Sequence, residues 1–117
     1  MQPRSSLLRI HDMLEAIEGI EQAVKGRSYR DYRRSWLLRS AVERGIEVVS
    51  EASRHLPREL KAQHKGVRWA DIAGIGNILR HEYQRVDGQI IWKTVKDDLP
   101  PLKEALLAIK ASLEELE

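Results

Sequence analysis

Seven apolar residues near the C-terminus set the tightest limit on what this chain can fold into. Val95, Leu99, Leu102, Leu106, Ile109, Leu113 and Leu116 recur at alternating intervals of four and three residues. A strand face needs an interval of two. An alternation of four and three is the narrow seam by which one helix packs into a bundle or coiled coil. Pro100 and Pro101 fall inside the seam, so the segment requires a kink or a fresh helix start there.

The rest of the chain follows the same period. Ile10, Met13, Leu14, Ile17 and Val24 share a face of a helix predicted from about Ser5 to Lys25. Ser5 or Ser6 is placed to cap it and Gly26 to end it. A second helix is predicted from about Ser28 to Arg54, with Leu38, Ala41, Val42, Gly45, Ile46, Val49 and Ala52 on one stripe. Pro57 then breaks the chain, leaving a short helical turn through Leu60 and a loop around His64, Lys65 and Gly66. The third helix is predicted from Trp69 to about Arg85, with Trp69, Ile72, Gly76, Leu79, Tyr83 and Val86 spaced by three or four. Asp87 can cap a fourth that begins at Gln89 and meets the proline pair. No alternating apolar stretch lies between turn signals, so no strand is expected.

Long helices joined by short loops pack as an antiparallel up-and-down bundle, here of four to five helices. The 117 residues make one domain, residues 1–117, with 42% apolar and only 5% aromatic side chains, so its core is aliphatic. With no cysteine, disulfides and cysteine-based zinc sites are excluded. No apolar run approaches the roughly 20 residues that span a bilayer. Arg9, His11 and Asp12 interrupt any signal-peptide core. The expected setting is the cytoplasm, with no membrane partner.

The net charge of +2 conceals an asymmetry. Residues 1–68 carry 14 Lys+Arg against 9 Asp+Glu, and residues 69–117 carry 6 against 9. The first half is the candidate for an anionic partner. Its densest stretch, RSYRDYRRSWLLR at 27–39, interleaves five arginines with Tyr29, Tyr32 and Trp36. Arginines neutralise phosphates and rings stack bases, which makes Arg27, Arg30, Arg33 and Arg34 candidate RNA-binding residues. The other reading is a solvated helix face whose aromatics anchor the core, and spacing does not say whether the rings point in or out.

The stretch richest in chemistry is WADIAGIGNILRHEYQRVD at 69–87. Asn77 and His81 are four residues apart and stack on one helix face. Histidine is the side chain best suited to proton transfer near neutral pH, although a polar outer face accounts for the same pattern. Gly74 and Gly76 each cost a helix interior about 1 kcal/mol relative to alanine. Either another helix or a ligand approaches closely, or the glycines are merely tolerated. His11, His55 and His64 show no metal spacing. Glu43, Glu47 and Glu51 lack the partners of a carboxylate metal site. Neither a metal nor a cofactor is expected.

SAVERGIEVVSEASRHLPREL (40–60), VRWADIAGIGNILRHEYQRVD (67–87) and IIWKTVKDDLPPLKEAL (90–106) together resemble the HepT-like members of the HEPN superfamily across essentially the whole chain. The resemblance implies an all-α bundle that forms a homodimer, with two copies of the histidine helix lining one cleft. It implies a toxin that is a metal-independent endoribonuclease, and a minimal nucleotidyltransferase as its antitoxin. The family histidine falls on His81, the asparagine on Asn77, and the tyrosine that can accept AMP from the antitoxin on Tyr83. The family arginine falls on Gly76, so the arginine–histidine motif is broken here. Side chains lean toward the helix N-terminus, so Arg80 can reach back about one turn toward that position. Either Arg80 substitutes for the lost arginine as a catalytic residue beside His81 and Asn77, or the nuclease is lost. In the second case the chain is a non-catalytic helical binding subunit of the nucleotidyltransferase.

Overall fold

The computed structural model describes residues 3–81 and 87–116. Among the described residues every regular element is helical. Four long helices are α1 (Pro3–Val24), α3 (Trp36–Arg54), α5 (Trp69–His81) and α7 (Leu99–Glu114). Three short ones are α2 (Tyr29–Arg34), α4 (Arg58–Ala62) and α6 (Gly88–Lys93). A wide helical turn, Thr94–Asp98, joins α6 to α7.

α3 is the spine, packed along α1 on one side and α5 on the other, while α1 also packs on α7. The core between them is aliphatic. It is built from Ile10, Met13, Ile17 and Ile20 of α1 and Val42, Ile46 and Val49 of α3. Ile72, Ile75 and Leu79 of α5 and Leu102, Leu106, Ile109 and Leu113 of α7 complete it. The C-terminal seam is buried from Val95 through Leu113. Leu116 breaks the expectation and is 65% exposed, because α7 ends at Glu114 and the last seam position runs past the packed surface. Ala41, expected on the inner stripe of α3, is also exposed.

Two boundaries differ from the sequence reading. Helix α1 begins at Pro3, whose missing N–H costs nothing at a helix start, so Ser5 and Ser6 lie inside the helix rather than capping it. The helix expected over Ser28–Arg54 is two helices hinged at Ser35. Ser28 and Asp31 form a reciprocal cap, Asp31 N–H to Ser28 Oγ at 3.2 Å and Ser28 N–H to Asp31 Oδ2 at 2.9 Å. Ser35 then turns extended, donates its N–H to the Asp31 carbonyl and accepts the Leu38 N–H on Oγ at 3.0 Å. One serine thus ends α2 and starts α3. The cap expected of Asp87 is present, its Oδ1 accepting the Gln89 N–H at 2.9 Å.

The proline pair explains the wide turn. Pro100 and Pro101 have no N–H for the carbonyls of Lys96 and Asp97, and their rings crowd those carbonyls. The Leu99 N–H bonds instead to the Thr94 carbonyl, five residues back. The turn buries Asp98, whose carboxyl is pushed up by desolvation against the opposing charge of Arg68. A carboxylate with a raised folded pKa carries a penalty that is fully present above that pKa and vanishes as pH falls below the unfolded value. Asp98→Asn is therefore expected to raise the melting temperature at neutral pH. That advantage should shrink as pH falls toward ~4 and be gone by about pH 3, below the ordinary aspartate pKa. Thermal melts at neutral pH and at about pH 3 check this.

Candidate active site

Helix α5 carries the chemistry-bearing residues, and α3 decides how it sits. Ser50, buried in α3, donates its hydroxyl to the Ala73 carbonyl at 2.9 Å and accepts the Gly76 N–H at 3.1 Å. Arg54, one turn on, adds two hydrogen bonds to the same Ala73 carbonyl, from Nε at 3.1 Å and Nη2 at 2.8 Å. This side-chain clasp holds the backbones close. A Cβ on Gly76 would stand 2.5 Å from Ser50 Oγ and 2.7 Å from Ser50 Cβ. Gly76 is thus a close-approach glycine, and no side chain fits at that position while Ser50 stays where it is.

The Arg80 guanidinium folds back toward that gap, with Nη1 3.7 Å from where the Gly76 Cβ would be. The side chain does not enter the core. It lines a surface cavity of about 510 Å³, together with Arg9 and Asp12 of α1 and Arg44, Glu47 and Glu51 of α3. Asn77 and His81 are exposed one turn apart, on the side of α5 turned away from Ser50. His81 does not line the Arg80 cavity. Ala70, Asn77, Ile78 and His81 are exposed on one stripe with the half-exposed Gly74. Among the described residues a Cβ on Gly74 would meet nothing within 4 Å. Tyr83, the sequence candidate for modification, lies outside the described residues.

The basic stretch divides. Arg27, Arg30, Arg33 and Arg34 are all exposed. The rings answer the question of direction in three ways: Tyr32 is buried, Tyr29 is half-buried and Trp36 is 68% exposed. Tyr29, Tyr32 and Trp92 cluster with ring centroids 5.5–6.3 Å apart. The Tyr32 hydroxyl donates to Glu43 Oε2 at 3.3 Å, and burial, then Glu43, pushes the phenol well above its ordinary pKa. Glu43 is thus tied to the buried ring of Tyr32, whereas Glu51 is exposed and pairs with His55 at 3.3 Å. Among the described residues no cluster of His, Asp or Glu could hold a metal ion, and no helix is long and apolar enough to cross a membrane.

Sequence reasoning missed Ser50 and Arg54. Their signal was present only as a serine and an arginine four residues apart on α3, which reads as ordinary helix until the partner glycine is known.

Curated relatives share most of the chain. It is 36% identical over 105 residues to "Gamma-glutamylcyclotransferase and putative RNase MJ0434" of Methanocaldococcus jannaschii, covering 90% of this chain but only 47% of that protein. It is 31% identical over 104 residues to "Putative RNase MJ1380" of the same organism, covering 89% of this chain and 95% of the relative. It is 36% identical over 94 residues to "Probable ribonuclease HepT" of Thermococcus cleftensis, covering 80% and 86%. No solved structure matches. The family model described as Ribonuclease HepT-like matches residues 13–109, and the chain belongs to that HepT-like ribonuclease family.

Proposed function

We propose that this protein is a metal-independent endoribonuclease of the toxin type, acting as a homodimer of up-and-down bundles. The observation that carries the reading is the α5 face, on which Asn77 and His81 stand exposed together with Arg80 next to them. In the proposed reaction the 2′-hydroxyl of RNA attacks the adjacent phosphorus. The P–O5′ bond breaks, leaving a 2′,3′-cyclic phosphate and a 5′-hydroxyl. His81 takes the proton of the attacking hydroxyl, and its copy in the second subunit returns one to the departing O5′. Arg80 offsets the charge gathering on the phosphorus oxygens. Asn77 orients the histidine or holds a phosphate oxygen. Arg27, Arg30, Arg33 and Arg34 gather RNA by charge. A nucleotidyltransferase antitoxin that adds AMP to Tyr83 would put an anionic group two residues from His81 and repel the substrate.

Dimerisation through α5 is supported by Gly74. The glycine costs the helix about 1 kcal/mol, and among the described residues no side chain or neighbouring element lies close enough to require it. A second copy of the same stripe supplies the missing neighbour. Gly74→Glu is expected to leave the monomer folded and to abolish the dimer, read by light scattering. A Gly74→Glu protein that still dimerises would place the interface elsewhere.

The test of the activity is cleavage of single-stranded RNA in EDTA by the purified protein and by His81→Ala. Unchanged cleavage by the variant removes the assignment. A second reading, the non-catalytic subunit of a nucleotidyltransferase, is favoured by Gly76, because Ser50 leaves no room for an arginine there. Tight binding to such a partner without cleavage by the wild type would support it.

A further inference from the structure

The corner between α2, α3 and α6 holds a cavity of about 490 Å³, to which the proposed function gives no part beyond the charge of Arg33. Its walls combine an exposed ring, two guanidinium groups and a carboxylate, with Asp87, the cap of α6, at one edge. Trp36 presents a ring that is 68% exposed. Arg33 and Arg39 bring two guanidinium groups, and Arg39 is steadied by donating from Nη1 to the Arg33 carbonyl. Glu43 brings a carboxylate whose Oε2 is occupied by the Tyr32 hydroxyl, leaving Oε1 for a further donor. The floor is packed: a Cβ on Gly88 would stand 3.2 Å from Tyr29 Oη and 3.4 Å from Tyr32 Cε2.

We propose that this cavity binds one nucleotide of a single-stranded RNA, its base stacked on Trp36, its phosphate held by Arg33 and Arg39, and its exocyclic amine donated to Glu43. Each part follows from chemistry. An exposed indole with a free face is a stacking platform for any base. A guanidinium fork suits a phosphate. A carboxylate locked by a tyrosine that stays protonated accepts but does not donate, so it favours bases that present an exocyclic amine, adenine, cytosine or guanine, over uracil, whose one ring donor, N3–H, is flanked by two carbonyl oxygens that repel the carboxylate. A protein helix docking here would leave both arginines and Glu43 to be desolvated together without matched partners, which costs more than it returns.

The site rests on the reading of the chain as RNA-acting only for the choice of probe. The probe is a 2′-O-methyl RNA decamer, which lacks the attacking hydroxyl. Its binding is read by fluorescence anisotropy whether or not the protein cleaves, so the site and the nuclease can fail separately. The oligoadenosine decamer is expected to bind more tightly than the oligouridine decamer. Trp36→Ala and Arg39→Ala should each weaken the adenosine decamer by about tenfold. Glu43→Ala should remove the preference for adenosine over uridine. Trp36 is exposed, so its truncation does not threaten the fold, and circular dichroism melts verify this for each variant. The proposal is overturned if Trp36→Ala and Arg39→Ala bind as the wild type does, or if the wild type does not bind the decamer. It is also overturned if Trp36→Ala changes the mass of the assembly while leaving decamer affinity intact, because Trp36 would then belong to a protein interface.

Discussion

His81→Ala is expected to lower RNA cleavage in EDTA by about 10²–10⁴-fold, the range that a positioned proton donor or acceptor contributes. The melting temperature should barely move, since the side chain is exposed and has no hydrogen-bond partner among the described residues. That separation of activity from stability makes the variant informative. A fall in cleavage accompanied by unfolding would say nothing about chemistry, but here the helix keeps its packed face of Ile72, Ile75 and Leu79. Arg80→Ala should cost about 10²–10³-fold, as removal of a charge-stabilising donor does. Because the two residues serve one transition state, the double variant is expected to fall only slightly below His81→Ala. Full additivity of the two losses would mean that they act in separate steps. Unchanged cleavage by Arg80→Ala would end the idea that it replaces the arginine missing at Gly76.

The second large effect concerns that same glycine and reads in stability. Gly76→Ala would put a methyl group 2.5 Å from Ser50 Oγ and 2.7 Å from Ser50 Cβ, inside any permitted contact. Ser50 cannot swing aside cheaply, because its hydroxyl joins the Ala73 carbonyl and the Gly76 N–H. Either α3 and α5 separate, or two hydrogen bonds are lost in a buried place. Overpacking of this kind costs about 1–3 kcal/mol and a stranded polar group about as much again. Alanine returns up to about 1 kcal/mol of helix propensity. The expected net loss is roughly 2–3 kcal/mol, a drop in melting temperature on the order of 10 °C. Ser50→Gly in the same chain should recover much of it by removing both clashing atoms. A Gly76→Ala protein as stable as the wild type would show that α3 yields easily. Gly76→Arg, which would restore the family's arginine on paper, meets the same obstruction and is expected to destabilise rather than activate.

Much of the fold was legible because burial writes itself as period. The α7 seam from Val95 to Leu113, most of the α1 face, and Ile72 and Leu79 of the α5 stripe show apolar residues at helical spacing and lie in the core, whereas Leu116 does not and Tyr83 and Val86 lie outside the described residues. What escaped was local competition for backbone hydrogen bonds. Ser28 with Asp31, and Ser35 with Leu38, offer the chain a stop and a restart that hydrophobic spacing cannot see, because the caps are made by polar groups. At the candidate site the residue types were legible and their arrangement only in part. That Asn77 and His81 share a face follows from their separation alone. That Arg80 leans toward Gly76 follows from the tilt of helical side chains. That Gly76 is glycine because of Ser50 does not follow from any local pattern, because the two are 26 residues apart. Likewise the pairing of Tyr32 with Glu43 spans the α2–α3 hinge and depends on its angle.

The wide turn at Thr94–Asp98 absorbs locally what the proline pair forbids. A five-residue step in the hydrogen-bond ladder takes up one extra residue without starting a new helix. Ile91 before the turn and Leu102 after it are both buried, so the core face carries on across the step. A single in-frame codon lost between Thr94 and Asp98 would remove the extra residue, and the helix could close only by setting the rings of Pro100 and Pro101 against the carbonyls one turn back. The slack of one residue is what lets a helix that starts on two prolines run on from the helix before it.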